Sequence, residues 1–287
     1  MSASTCIKAL MILLCVPAML PDIARAEASG PTTVMIPAGR FDYRSSGEFL
    51  ENGYPVDATI EEVVFEEPFE IMRFQVSVGQ YEQCVAANAC RERLGAGRQP
   101  GHLPATGISF RDASDYANWL SEVTGEKWRL PTDKEWAYAA GDRFIDDAIG
   151  VEKDTANPAR RWIARYSKYA SLGSQTDPEI REPGAYGANQ FGVHDISGNI
   201  WEWTDTCYSR KRLDGEGKLM SETENCGVRI AAGQHRAYIS FFIQDAKGGG
   251  CSVGAPPEYL GFRLVRERPV GIKAVLHRFR KVFSGPE

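Results

Sequence analysis

The sequence lacks any apolar run long enough to cross a bilayer comfortably. The best candidate, Ala9–Leu20, follows a single lysine and leads to the small-x-small end Ala24-Arg25-Ala26. That arrangement predicts a signal peptide over residues 1–26, with cleavage after Ala26. We therefore expect a protein that is periplasmic or secreted once the signal peptide has been removed.

A strong net charge is also missing. The chain carries 33 basic and 38 acidic residues, a formal charge of −5, and loss of Lys8, Asp22 and Arg25 with the signal peptide makes it −6. This mild negative balance argues against non-specific nucleic-acid binding. No asparagine begins an N-x-Ser/Thr sequon, which favours a bacterial periplasm over an endoplasmic reticulum. A P-loop, a dinucleotide fingerprint and a Ser-His-Asp arrangement are absent too.

Three capping boxes predict helices in the first half of the mature chain. In each one, a serine or threonine is followed three residues later by a side chain that can return a hydrogen bond to the cap. The pairs are Ser77 with Gln80, Ser109 with Asp112, and Thr132 with Glu135. Gly125 and Gly141 stand where the second and third helices should end.

Short β-branched and aromatic runs, separated by glycine and proline, predict strands elsewhere. These runs are residues 35–43, 61–72, 236–243 and 261–267. Together with the helices they predict an α+β domain with long irregular connections over residues 27–266.

The remaining residues, 267–287, form a basic amphipathic tail. Its apolar face consists of Ile272, Val275, Leu276, Phe279, Val282 and Phe283. Such a segment can lie on a membrane surface, although docking of a terminal helix on its own domain is the commoner arrangement. Membrane contact therefore stays the lesser alternative.

Five of the seven cysteines remain after removal of the signal peptide. In an oxidising compartment we expect disulfides. Cys84 and Cys90 bracket the predicted end of the first helix and can meet if the chain turns back there. Cys207 and Cys226 flank a polar segment and can close it as a loop. Cys251 is then left over, either as a partly buried free thiol or as a reactive one.

Three ordered segments carry a resemblance to a known family. "RLPTDKEWAYAAG" (129–141), "FGVHDISGNIWEW" (191–203) and "YLGFRLVRE" (259–267) resemble the formylglycine-generating enzyme, or sulfatase-modifying factor, superfamily. The similarity covers roughly residues 33–266. It implies a single C-type-lectin-like domain with little regular secondary structure.

The resemblance also implies a structural calcium site. Family members hold calcium at the turn before the Trp-Glu-Trp segment, through backbone carbonyls and the glutamate. Calcium accepts about six to eight hard oxygen ligands, and carbonyls from an irregular turn suit it. Carried over, the ligands are the main-chain oxygens of Ser197, Gly198 and Ile200 and the carboxylate of Glu202, with Asn199 adjacent.

Glu202 has an alternative role, as the partner of an arginine such as Arg129 or Arg263. The family's other calcium site uses an asparagine in an upstream loop. Ser171 stands where we would look for that asparagine, which makes a second calcium site here doubtful.

The family's catalytic copper has no counterpart in this sequence. Formylglycine-generating enzymes bind copper(I) between two cysteines ahead of the final Gly-Phe-Arg, and soft thiolates suit that ion. The corresponding positions here fall near 235–237 and 240–242, where no cysteine occurs. Two-thiolate copper chemistry is therefore not expected. The remaining catalytic candidates in this segment are His235, Ser240 and Cys251, and the identity of any redox metal stays open.

Three functions remain open. The first is an exported maturation or tailoring factor that acts on a peptide or small exported molecule, in a cleft around residues 233–251, without two-cysteine copper chemistry. Exported pyoverdine-maturation proteins are a parallel for it in architecture. The second is a non-catalytic, calcium-stiffened binding or assembly module. The third, formylglycine generation itself, requires the missing pair of thiols.

Overall fold

A computed structural model describes residues 30–93, 99–151, 157, 159–173, 179–241 and 260–267. The predicted signal peptide, Cys251 and residues 268–287 of the tail lie outside these residues. In the described part, no helix is both long and apolar enough to cross a membrane.

The described elements are four α-helices and twelve β-strands. The helices are Val78–Ala86 (α1), Phe110–Thr124 (α2), Asp133–Ala140 (α3) and Ala159–Gly173 (α4). The strands of the first half are Thr33–Ile36 (β1), Gly39–Arg44 (β2), Glu48–Glu51 (β3), Tyr54–Val56 (β4), Ile60–Phe65 (β5), Phe69–Met72 (β6) and Lys127–Arg129 (β7). The strands of the second half are Trp201–Leu213 (β8), Leu219–Ala232 (β9), Arg236–Ser240 (β10), Leu260–Gly261 (β11) and Val265–Glu267 (β12).

The strands form three sheets. One has the order β1-β6-β12-β7, and a second has the order β10-β9-β8-β3-β4, with β11 added in parallel to β8. The third is a two-stranded ribbon of β2 and β5. Sheets with helices packed beside them make this the α+β fold that the sequence predicts.

The three predicted capping boxes are confirmed at α1, α2 and α3. In each helix the cap side chain accepts from the N3 amide while the N3 side chain accepts from the cap amide. The predicted stop at Gly125 is also confirmed, since this residue adopts φ 65° in the left-handed region. A short 3-10 turn, Gly141–Arg143, follows α3.

Both predicted disulfides are present. Cys84 bonds Cys90 across the end of α1, where Asn88 adopts φ 57° and lets the chain turn back. Cys207 bonds Cys226 and ties β8 to β9.

Several predicted elements differ in extent. The runs 35–43 and 61–72 are each broken into two strands, and the segment between Cys207 and Cys226 is a hairpin instead of a polar loop. Its strand residues 219–227 are all exposed, so no apolar alternation marks them as a strand. Ser171 lies in α4 and is exposed, so the chain is helical at the position that corresponds to the family's second calcium site.

Two apolar clusters fill the interior. The larger packs α1 and α2 against β8 and contains both Trp201 and Trp203. The smaller includes Trp136 of α3. Because side chains alternate along a strand, Glu202 points away from the two flanking indoles and meets Trp136 instead. Glu202 therefore lies between the two clusters.

Candidate functional site

The turn before β8 is held in an unusual backbone conformation. Three of its residues have positive φ without being glycine: Asp195 (57°), Ser197 (61°) and Asn199 (33°). The buried carboxylate of Asp195 accepts hydrogen bonds from the amides of Gly184 (2.5 Å) and Tyr186 (2.9 Å). These bonds help to compensate the conformational cost of the turn, which is of order 1–3 kcal/mol per residue in such regions.

Glu202 is completely buried, and four donors surround its carboxylate. Oε2 accepts from Arg263 Nε at 2.5 Å and from Trp136 Nε1 at 2.9 Å. Oε1 accepts from Arg263 Nη2 at 2.7 Å and from Gln75 Nε2 at 2.8 Å. An ionised carboxylate offers about four lone-pair positions. All of them are therefore occupied, and the arginine partner of Glu202 is Arg263.

Arg129, the other arginine considered for Glu202, is engaged elsewhere. It forms a two-pronged pair with Glu135 and a further bond to Glu267. Burial by itself would lower the pKa of Arg129, but the two carboxylates outweigh it and raise the pKa above its usual value. Arg129 therefore links the first turn of α3 to the end of β12.

Arg263 connects distant parts of the chain. It is also completely buried, and beyond Glu202 its guanidinium donates to the main-chain oxygens of Met72 (3.2 Å), Arg73 (3.3 Å) and His194 (3.0 Å). The pair thus joins β6, the turn and β8. Its role in this arrangement is to hold the two clusters together.

The oxygen atoms around the turn fit calcium poorly. Glu202 has no lone pair left, and Asn199 Oδ1 already accepts from the amide of Arg181 at 2.8 Å. Ser197 Oγ is buried without a partner in the described part of the chain. Calcium here, still a prediction, has to rely on the main-chain oxygens of Ser197, Gly198 and Ile200. Glu202 itself is assigned to Arg263.

The resemblance places the family's thiol pair near residues 235–237 and 240–242, which are the two ends of β10 and the residues next to them. His235 is 5% exposed and its Nδ1 lies 2.9 Å from the main-chain oxygen of Arg236, a geometry in which Nδ1 donates. Its ring meets Trp201 edge-on, with 4.4 Å between ring centroids. Burial lowers the pKa of His235 below its usual 6.5, so the imidazole is neutral at pH 7.

Arg236 forms the centre of a buried charge cluster, which we call the β10 cluster: Arg236, Asp133, Asp147, Tyr43 and Tyr238. The guanidinium lies 3.2 Å from Asp133 and 3.3 Å from Asp147. Tyr43 donates to Asp133 at 2.5 Å, and the hydroxyl of Tyr238 lies 3.2 Å from Asp147.

Charges in the β10 cluster are fixed by their surroundings. Burial would lower the pKa of Arg236, but Asp133 and Asp147 outweigh it and raise the pKa well above the usual value. Burial, reinforced by Asp133, also raises the pKa of Tyr43 well above its usual value. Arg236 is therefore a permanent cation and Tyr43 a permanent hydroxyl donor. Asp147 is 18% exposed and has one buried oxygen without a partner in the described part of the chain.

Two of the catalytic candidates from the sequence, His235 and Ser240, lie apart in the described part of the chain. Ser240 is partly buried at the far end of β10, about 16 Å along the strand from His235 at ~3.3 Å per residue. Cys251 lies outside the described residues. Among the residues described, the one group of His, Cys, Asp or Glu with metal-like spacing is Cys207, Glu224 and Cys226, whose cysteines are disulfide-bonded. These residues do not fit two-thiolate copper.

Sequence reasoning missed the anions of the β10 cluster. Asp133 reads locally as an ordinary acid in the first turn of α3, where it also favours the helix dipole. Asp147 lies in an irregular stretch with no local pattern. Both meet Arg236 from about ninety to a hundred positions away in the chain. No spacing rule within one element could have identified them.

Comparison with known proteins decides the family. Residues 20–268 match the family described as "Sulfatase-modifying factor enzyme 1-like domain". The chain belongs to this family. One relative is the formylglycine-generating enzyme of Mycobacterium tuberculosis, 35% identical over 118 residues, which are 40% of this chain and 37% of that protein. Another is the "Inactive C-alpha-formylglycine-generating enzyme 2" of Bos taurus, 24% identical over 171 residues, 58% of this chain and 51% of that protein.

These matches span between about a third and a half of the curated relatives' length. Among solved structures, PvdO from Pseudomonas aeruginosa superimposes with a TM-score of 0.52 at 23% identity, covering 83% of this chain and 94% of that chain. This likeness supports the sulfatase-modifying-factor fold.

Proposed function

We propose that this member of the sulfatase-modifying factor family is an exported maturation or tailoring factor. It acts on a peptide or a small exported molecule, in the periplasm, without two-cysteine copper chemistry. The observation that carries the proposal is the bonding state of the cysteines. Four of the five in the predicted mature chain are locked in two disulfides, which leaves Cys251 without a second thiol.

The residues that stand at the expected thiol positions also support a function without two-cysteine copper chemistry. The positions expected for them near 235–237 are occupied by His235, Arg236 and Ala237, and the latter two are 2% exposed. Those expected near 240–242 are occupied by serine and phenylalanine. A permanently charged guanidinium flanked by two carboxylates offers fixed electrostatics, with no soft ligand for copper(I). Asp147 and Tyr238 border a small cavity of about 40 Å³ that also includes Arg161 and Arg165. The cavity admits a group about the size of one water molecule, so through these residues the β10 cluster can bind or orient the polar end of a ligand.

A non-catalytic binding module is the second candidate, and the state of the buried groups favours it. His235 is neutral and bonded to the backbone, while Arg236 is held between two carboxylates. Neither is placed as an exposed acid or base. The name of the bovine relative, which includes the word "inactive", is compatible with this alternative.

One experiment separates the two functions. A strain lacking the gene is compared with the same strain complemented by the wild-type chain, by mass spectrometry of exported peptides and small molecules. The proposal predicts a precursor of altered mass that accumulates in the deletion and disappears on complementation. The absence of any mass-shifted species would overturn it.

The same strain tests whether chemistry occurs at the β10 cluster. If Asp147→Asn and His235→Ala proteins, produced at normal levels, fail to remove the precursor, the tailoring reaction depends on the β10 cluster and the adjacent His235. If both restore the wild-type pattern, the function does not depend on these residues. Elemental analysis of the purified protein by mass spectrometry is an independent check, because stoichiometric iron or copper supports a redox factor.

A further inference from the structure

A cavity of about 730 Å³, whose lining shares no residue with the β10 cluster, opens beside β2. We infer that this cavity, the β2 groove, binds an extended peptide segment that adds as a strand to β2 and inserts one aromatic side chain. Its volume lies within the ~300–1,000 Å³ range of ordinary ligand sites. The groove is lined on one side by Arg40, Phe41 and Asp42, and on the other by Phe144, Ile145 and Asp146.

The wall formed by β2 is its backbone edge. Successive side chains of a strand point to opposite faces, so three consecutive residues can share one wall only along the edge of the strand. The other edge of β2 is paired with β5, from Gly39 opposite Phe65 to Arg44 opposite Ile60. In the described part of the chain no further strand pairs with β2. Unpaired N–H and C=O groups of an edge are a template for a further strand.

The floor of the groove is aromatic. Tyr138 lies 5.1 Å from Phe41 and 5.8 Å from Phe191, measured between ring centroids. Tyr138 is only 7% exposed, and its hydroxyl has no hydrogen-bond partner among the residues described. At one end the two walls meet in an ion pair between Arg44 and Asp146, at 3.0 Å. Tyr138 is itself stacked on Phe65, with 4.8 Å between ring centroids. A ring that enters from the open side therefore packs against the partly buried rings of Phe41, Phe144 and Phe191.

Charges on the rim define which peptide fits. Arg40 and Asp42 share the face of β2 opposite to Phe41, so they flank the place of an inserted ring. Asp42 has no ion-pair partner within the described chain, whereas Arg40 pairs with exposed Glu62 at 3.2 Å. Cross-strand neighbours of opposite charge stabilise a strand pair. The expected ligand therefore has an aromatic residue between a basic residue opposite Asp42 and an acidic residue opposite Arg40.

This inference rests on the proposed function only in taking the ligand to be a peptide. Binding at the groove is measured without turnover, so its outcome is independent of whether the β10 cluster performs chemistry. If the peptides do not bind, the outcome of the precursor experiment is unaffected. If no precursor accumulates, peptide binding at the groove is likewise unaffected.

The test uses the purified mature protein and short blocked peptides, with affinity measured by isothermal titration calorimetry. The two probes are acetyl-Thr-Lys-Phe-Glu-Thr-amide, for antiparallel addition, and acetyl-Thr-Glu-Phe-Lys-Thr-amide, for parallel addition. We expect one of them to bind saturably at one site, and replacement of Phe by Ala to weaken binding at least tenfold. Alternate amides of an added strand face β2. N-methylation at the Phe or at the following residue should therefore weaken binding tenfold at one of these two positions.

A charge swap locates the site. Asp42→Lys should weaken the better probe several-fold, and the same variant should regain affinity for acetyl-Thr-Glu-Phe-Glu-Thr-amide. Glu122→Lys, an equal charge change at an exposed residue of α2, is the matched control and should leave binding unchanged. Absence of saturable binding by both probes would overturn the inference. Equal binding of both N-methylated peptides would also overturn it, because the ring alone would then suffice. An equal effect of Asp42→Lys and Glu122→Lys would place the binding elsewhere.

Discussion

Substitution in the Glu202–Arg263 pair should lower the free energy of unfolding more than substitution at most other positions. Both side chains are completely buried and joined by two hydrogen bonds of 2.5 and 2.7 Å. Glu202→Gln keeps the shape but leaves the guanidinium buried without a counter-ion. Removing one partner of a buried pair costs about 3–5 kcal/mol. A protein of ordinary stability, about 5–15 kcal/mol, would lose a large share of its free energy of unfolding.

Urea unfolding followed by tryptophan fluorescence measures this loss. The matched control is Glu62→Gln, which removes a carboxylate from the exposed pair with Arg40. Exposed pairs of this kind are worth about 0–1 kcal/mol. The free energy of unfolding should therefore fall by several kcal/mol in Glu202→Gln and barely change in Glu62→Gln.

Calcium and a chelator extend the same measurement. Because all lone pairs of Glu202 are used by protein donors, the cost of Glu202→Gln should be equal in both conditions. A cost below 1 kcal/mol, or one that appears only when calcium is present, would refute the assignment of Glu202 to Arg263. The second of these results would make Glu202 a calcium ligand.

Three further results are expected. Burial alone would raise the pKa of Asp57, but two backbone amides and Arg161 outweigh it and hold the pKa below 3.8. The stabilisation from ionised Asp57 is therefore lost as the pH falls below about 4. In urea unfolding, Asp57→Asn should reduce the fall of the unfolding free energy over this acid range. Burial lowers the pKa of His235, so stability should fall as the pH drops below about 6.5, less steeply in His235→Phe, and a slope equal to wild type would contradict this. Thiol titration of the denatured, unreduced mature chain should find one thiol, Cys251, and a peptide map that joins it to Cys226 would exclude the present disulfides.

Features set by neighbours in sequence could be predicted. A capping box needs only residues at i and i+3, and all three were found at the expected positions. The Cys84–Cys90 bond depends on one turn at Asn88, which tolerates a left-handed conformation. The family motifs likewise led to the correct fold class, because each is a contiguous run.

Features set by contacts between distant parts of the chain could not be predicted from the sequence. The outer arm of β9 is exposed on both faces, so residues 219–227 carry no alternation that distinguishes a strand from a loop. The side of β8 on which Glu202 lies, opposite its flanking indoles, follows from strand alternation, but its pairing with Arg263 depends on a contact 61 residues away. The β10 cluster depends on similar long-range pairing of Arg236. Sequence spacing within single elements does not contain that information.

The central claim is that this member of the sulfatase-modifying factor family has no two-thiolate copper site. The most direct measurement is a competition titration of the mature, unreduced protein with copper(I) held by bicinchoninate, followed by the colour of the copper–bicinchoninate complex. The account predicts that the chelator keeps its copper at all protein concentrations. Withdrawal of one copper(I) per chain, abolished by prior alkylation of thiols, would contradict it.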